Sequence, residues 1–361
     1  MKSKKKSFLI KPNYRLHFLK TVTTLFVFYL FIFFYSCNIE TKFPKPDVSN
    51  ITIDAPILNL ENRFFITDSL VLADSLSNFA NKQPEIADLY FNQLLGLGKI
   101  QNDKFVESAV LLFNNTEIKK LKDTVNLYKN QFKNELNTLE NGLKYFKHYF
   151  PQKTSPKIFT AITEFGPSAF TLDSLVVGIS LDMYLGPEFV YYPSVGYHQY
   201  QIRNFKPKFL PANTLKAIYK AHFPYNYKTG SFINEAVYNG KLMYLLDVTL
   251  PDTEDYTKIG YLPEHIDWCK NNEGRIWGFL IENELLYETQ SKLYSKYVND
   301  GPSSSGMPAE SPGNIGSWVG WQIVRAFMQQ HPGFSLQKLM EIDDGQYILS
   351  KSKYKPKEGL F

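Results

Sequence analysis

The sequence predicts a predominantly helical α+β fold in which a small β-sheet packs with helices. Three observations lead there. Apolar residues recur at helical steps over most of the 361 residues. One stretch, residues 157–183, changes to strand-like alternation. That stretch forms a single block between helical runs, whereas a doubly wound fold would alternate strand and helix throughout.

The first segment is a leader. Lys2, Lys4, Lys5, Lys6, Lys11, Arg15 and Lys20 precede a dense apolar run, Val22 to Tyr35, which stops at Ser36-Cys37. The run is short for a membrane-spanning helix, which needs roughly 20 residues, and suits the core of a signal peptide. Residues 1–36 are therefore expected to be a lipoprotein signal peptide, with Cys37 the lipid attachment point. The alternative is an uncleaved membrane anchor. Residues 37–55, with Pro44, Pro46 and Ser49, read as a tether. A single globular domain is expected over 56–361, with a helical part over 56–150 and sheet plus helices over 151–361.

Within that domain, Leu72, Leu76 and Phe79, then Ile86, Leu89 and Leu94, fall at helical spacing in the segment 66–115. Leu121, Val125, Tyr128, Phe132, Leu136, Leu139, Leu143 and Phe146 continue at steps of three and four. They predict one long amphipathic helix over 117–149, ended by Pro151. Strands are expected at 157–165, 169–171 and 175–183, with a turn at Asp173-Ser174. Helices follow at 213–222, 231–249, 263–287, 314–331 and 335–341. The Gly, Pro and Ser residues of 300–313 mark a loop.

Charge excludes one class of function. All 35 acidic residues lie after residue 36, but only 33 of the 40 basic ones do, so the formal charge falls from +5 to −2 without the leader. The basicity belongs to the leader, and no nucleic-acid partner is expected. Cys269 is the one other cysteine, so a lipidated Cys37 leaves no pair for a disulfide. Cys269 reads as a buried small hydrophobe.

Candidate chemistry is sparse. His148, His198, His222, His265 and His331 include no pair at i+3 or i+4, the spacing that sets two imidazoles on one helix face. His148 and His331 read as helix C-caps. The run Asn234-Glu235-Ala236-Val237-Tyr238 has the layout of H-E-x-x-H with an amide and a phenol in place of both imidazoles. Glu273 stands downstream where a third, glutamate ligand would be sought. Amide and phenol are poor zinc ligands, so no metal and no cofactor are expected. All four tryptophans lie in two runs: Trp268 and Trp277 in 263–287, Trp318 and Trp321 in 314–331. Trp318 and Trp321 share a face beside Gly316 and Gly320, which suits tight helix packing or, more sharply, a partner groove with Tyr191 and Tyr192. Glu282, Glu284 and Glu288 read as a solvated face. No nucleophile elbow, Walker loop or dinucleotide fingerprint is present.

The motifs PSVGYHQYQIRNF (193–205), NEAVYNGKLMYLLDVTLPDTEDYTKIGY (234–261), WCKNNEGRIWGFLIENELLY (268–287) and SPGNIGSWVGWQIVRAFM (311–328) resemble the gliding motility lipoprotein GldB family of Bacteroidota. The resemblance implies an acylated lipoprotein (palmitate among its chains) held to the bilayer through Cys37, facing the periplasm from the inner or outer membrane. It implies a non-catalytic component or accessory of the gliding machinery and its associated secretion system, with other envelope proteins as partners. It also implies a degenerate gluzincin-type metallopeptidase fold in which Asn234, Glu235, Tyr238 and Glu273 are the remnant of a site. The alternatives are a metallohydrolase with a rearranged site, using Glu235 with His198, His222 or Glu273, and a glycan- or peptidoglycan-binding module that uses Tyr191, Tyr192, Trp318 or Trp321.

Overall fold

In the computed structural model residues 45–356 are described, apart from 54–55 and 103. The expected signal peptide, Cys37 and the first part of the tether lie outside the described residues. Among the described residues the sheet has four strands: β1 (Leu58–Asn59), β2 (Lys157–Ala161), β3 (Ala169–Leu172) and β4 (Val176–Ser180), in the order β1-β2-β4-β3. β1, β2 and β4 run parallel, and β3 pairs antiparallel with β4. The hairpin turns at Asp173, which takes the left-handed conformation with φ 49°, where the sequence places a turn. All five residues of β4 are buried, so it reads as a continuous apolar run. The expected strand over 175–183 ends at Ser180, and residues Leu181–Met183 form a 3₁₀ turn. β1, two residues long, carries no periodic signal and is held by β2.

Five helices cross from β1 to β2. They are α1 (Ser69–Lys82), α2 (Pro84–Ala87), which runs on as a π-helical turn, α3 (Phe105–Asn114), α4 (Thr116–Leu127) and α5 (Lys129–Tyr149). The Asp68 side chain caps α1 by accepting from the N–H groups of Leu70 and Val71 at 2.9 and 3.1 Å. Phe64 gathers Phe79, Phe91 and Phe113 around it, with ring centroids 5.1–5.8 Å apart. Phe159 of β2 and Tyr90 join this aromatic cluster to the sheet. The single helix expected over 117–149 is two helices, broken at Tyr128 (φ −93°, ψ 3°). Its stripe survives on both: Leu121, Val125, Phe132, Leu139, Leu143 and Phe146 are buried. The break is tertiary in origin, because the Tyr128 hydroxyl donates to the Leu185 carbonyl at 2.6 Å.

After the sheet come α6 (Tyr191–Ser194), α7 (Gln199–Ile202), α8 (Leu210–His222), α9 (Phe232–Thr249), α10 (Asp255–Ile259), α11 (Pro263–Asn271), α12 (Glu273–Glu282), α13 (Ser291–Val298), α14 (Ile315–Gln330), α15 (Leu336–Glu341) and α16 (Gly345–Ser352). The helix expected over 263–287 divides at Asn272 (φ −116°) into α11 and α12, followed by a 3₁₀ turn at Leu285–Tyr287. α9 is buried on nearly all sides, as a central helix must be. α14 packs along it, and α16 lies against both. At the crossing, Gly240 faces Gly320: a Cβ on Gly320 would stand 1.8 Å from the Ala236 carbonyl oxygen. The loop over 300–313 is tied down by Ser304 Oγ donating to Pro312 O (2.6 Å) and Tyr261 Oη donating to Gly313 O (2.7 Å). Among the described residues, no helix is long and apolar enough to cross a membrane.

Candidate functional site

α9 begins where Ser231 accepts from the Asn234 N–H at 3.3 Å. One of its faces then presents Asn234, Tyr238 and Lys241, at i, i+4 and i+7. All three hold backbone. Asn234 Oδ1 accepts from the Gly345 N–H at 2.8 Å, at the first residue of α16. Tyr238 Oη donates to Phe223 O at 2.9 Å. Lys241 Nζ donates to Ile342 O at 2.7 Å. Burial lowers the Lys241 pKa to about 8, with Asp343 opposing the shift. The space between these side chains is about 10 Å³, room for about one water molecule.

Glu235 and Glu273 have other partners. Burial raises the Glu235 carboxyl, which is hydrogen-bonded by the Tyr294 hydroxyl. Glu273 is buried and accepts from Tyr354 Oη at 2.8 Å. Asn234 and Tyr238 therefore share a face, while Glu235 engages α13 and Glu273 the C-terminal segment. Among the described residues, no group of three or more His, Cys, Asp or Glu side chains is placed to hold a metal ion. His198 is exposed and stacks on Tyr200, with centroids 5.8 Å apart. His222 packs on Phe146, and burial lowers its pKa. His331 caps α14 with Nδ1 2.8 Å from Phe327 O. Cys269 is fully buried, which pushes its thiol up.

Three of the four rings expected at a groove are inside the protein. Trp318 and Trp321 are 2 % and 0 % exposed, because the glycine crossing draws α14 onto α9. Tyr192 is also fully buried, accepting from the Leu185 N–H (3.0 Å) and donating to Asp182 O (2.8 Å). Tyr191 alone reaches the surface, 49 % exposed.

Trp321 belongs instead to a buried charge network. Asp247 of α9 is 2 % exposed. It accepts from Trp321 Nε1 (2.8 Å), Arg325 Nε (2.7 Å), Arg325 Nη2 (2.7 Å) and Lys258 Nζ (3.0 Å). Arg325 also makes a two-pronged contact with Asp255, both distances 2.9 Å, and lies 3.8 Å over the Trp321 ring. Burial alone would lower the Arg325 pKa, but the two carboxylates outweigh it and raise it. This set joins α9, α10 and α14. Sequence spacing alone missed it. The available signal was charge inside apolar runs, Asp247 in LMYLLDVTL and Arg325 in WVGWQIVRAFM.

A second buried carboxylate, Asp182, follows β4. Its oxygens accept from the N–H groups of Thr163 (3.0 Å) and Phe165 (2.7 Å). That turn places Glu164 and Phe165 at φ 55° and 65°, in the left-handed region.

Comparison with known proteins gives one family: the model for gliding motility protein GldB matches residues 41–356. No curated protein and no solved structure matches the chain.

Proposed function

The chain belongs to the gliding motility protein GldB family, and from that premise we propose a non-catalytic, lipid-anchored envelope component that serves the gliding machinery and its associated secretion system by binding other envelope proteins. Family membership makes it a gliding-related lipoprotein. The anchoring at Cys37, the periplasm-facing position and the scaffold role are the proposal. So is a distant descent from gluzincin-type peptidases.

One observation carries the scaffold reading. The α9 face that would present ligands in a peptidase holds backbone instead: Asn234 on Gly345, Tyr238 on Phe223. An amide and a phenol engaged in this way are poor zinc ligands. Glu235, the residue that would activate a metal-bound water, is hydrogen-bonded to Tyr294 instead. The polar side chains of α9 and α14 stabilise the fold, which leaves the surface for recognition.

Colony spreading and secretion should disappear on deletion of the gene and return fully with the Glu235→Gln chain. Loss of both with Glu235→Gln in a folded protein would reject the scaffold. Palmitate should label the wild-type chain and not Cys37→Ser, and equal labelling of the two would reject the anchor.

A further inference from the structure

A cleft of about 450 Å³ opens between the sheet edge and the helices that precede β2. Its size is within the range of small-molecule pockets, roughly 300–1,000 Å³. The sheet wall carries Asn59 and Glu61, and the helix wall Lys129, Phe132, Lys133 and Leu136. β1 stands first in the strand order, so its outer edge borders the opening with no strand beyond it among the described residues.

The charges in this cleft are complementary to a ligand rather than to one another. Glu61 accepts from Thr160 Oγ1 at 2.6 Å, and Thr160 is fully buried. Its carboxyl is half-buried, and burial raises its pKa, yet no basic side chain pairs with it among the described residues. A desolvated carboxylate at the wall of a cavity favours a cation that enters the cavity. The other carboxylate of the cleft, Glu140, already pairs with Lys144 at 3.5 Å. Lys129 and Lys133 form no ion pair among the described residues. They are one helical turn apart, about 6 Å along the axis, a spacing that lets both reach one carboxylate. The buried Phe132 and the half-buried Leu136 also line the cleft, with Asn59 and Asn137.

We propose that this cleft binds a short zwitterionic peptide, its free α-ammonium on Glu61, its carboxylate on Lys129 and Lys133, and an apolar side chain over Phe132 and Leu136. The site is on the opposite side of the sheet connection from α9 in sequence and uses none of the residues invoked for the scaffold role. Its failure would leave that role standing.

Isothermal titration of the purified full chain in detergent tests the proposal with three probes: the tripeptide Ala-Leu-Ala, its N-acetyl form and its C-terminal amide. The free tripeptide should bind. Acetylation, amidation, Glu61→Gln and the pair Lys129→Gln/Lys133→Gln should each weaken binding about tenfold or more, as loss of a charge-assisted contact does. The modified peptides read the same contacts on wild-type protein, so the result does not depend on the variants folding. No heat with Ala-Leu-Ala at millimolar concentration would overturn the proposal, and so would equal affinity for the free and acetylated peptides.

Discussion

At the scale of single residues, the buried Asp182 makes stability depend on pH. Burial outweighs the hydrogen bonds at Asp182 and raises its pKa from 3.8 to about 6. The folded state thus takes up this proton before the unfolded state does. The group's contribution to stability is greatest below about pH 4 and is lost as pH rises through about 6, a difference of about 3 kcal/mol. The urea midpoint should therefore gain from this residue between pH 7.5 and 5. In Asp182→Asn the amide offers one acceptor to two N–H donors, so the midpoint should be lower throughout and its pH dependence flatter. An unchanged slope in the variant would contradict the assignment. Asp182 was invisible in the sequence, because an acid at the end of an apolar strand looks the same whether its backbone donors are near or absent. Asp247 was equally hidden. Its partners Lys258, Trp321 and Arg325 lie 11, 74 and 78 residues away, and no local spacing connects them. Asn234, Glu235, Tyr238 and Glu273 were visible as a pattern, but whether the pattern converges depends on Tyr294 and Tyr354, which the pattern does not contain.

Among the elements, the α9–α14 crossing sets the tightest tolerance. A methyl on Gly320 would fall inside the Ala236 carbonyl, and one on Gly240 would stand 2.2 Å from the Gly320 carbonyl carbon. Neither neighbour can move without separating the helices. Gly320→Ala should cost at least about 3 kcal/mol, the upper end of ordinary overpacking. Gly278 of α12 meets nothing within 4 Å, so Gly278→Ala should add about 0.5–1 kcal/mol through helix propensity. Denaturant melts of both variants check the contrast, and similar values would mean the crossing is looser than the geometry requires. Both helices were legible in the sequence because Phe232–Thr249 and Ile315–Gln330 bury long apolar stretches. The break at Tyr128 was not legible. The apolar stripe passes through it unaltered, and the hydroxyl bond to Leu185 that fixes it comes from a segment 57 residues away. β1 escaped for a related reason: its two residues take their register from Phe159 and Thr160.

For the molecule as a whole, the C-terminal segment completes the core. α16 packs on α9 and α14, Ile348 is fully buried, and Tyr354 meets both Glu273 and the Trp277 ring. A chain stopped after Glu341 would strip Asn234, Lys241 and Glu273 of Gly345, Ile342 and Tyr354 and open the central helices to water. The loss should exceed about 5 kcal/mol, comparable with the net stability of a typical domain. Circular dichroism should show no cooperative melt for the truncated chain, whereas a melt within a few degrees of the full chain would show that the segment is dispensable. The order helices, sheet, helices was readable from where apolar periodicity changes. The dependence of the middle on the end was not, since it rests on backbone groups that every residue possesses.

The clamp on α16 has a consequence for the protein's birth. A ribosome delivers the chain from its amino end, so the aromatic cluster around Phe64 can assemble once Phe159 has emerged. The hydrophobic centre stays uncapped until the segment 342–354 has emerged. Early release of the nascent chain would leave an unfinished, sticky intermediate in place of a shorter working protein.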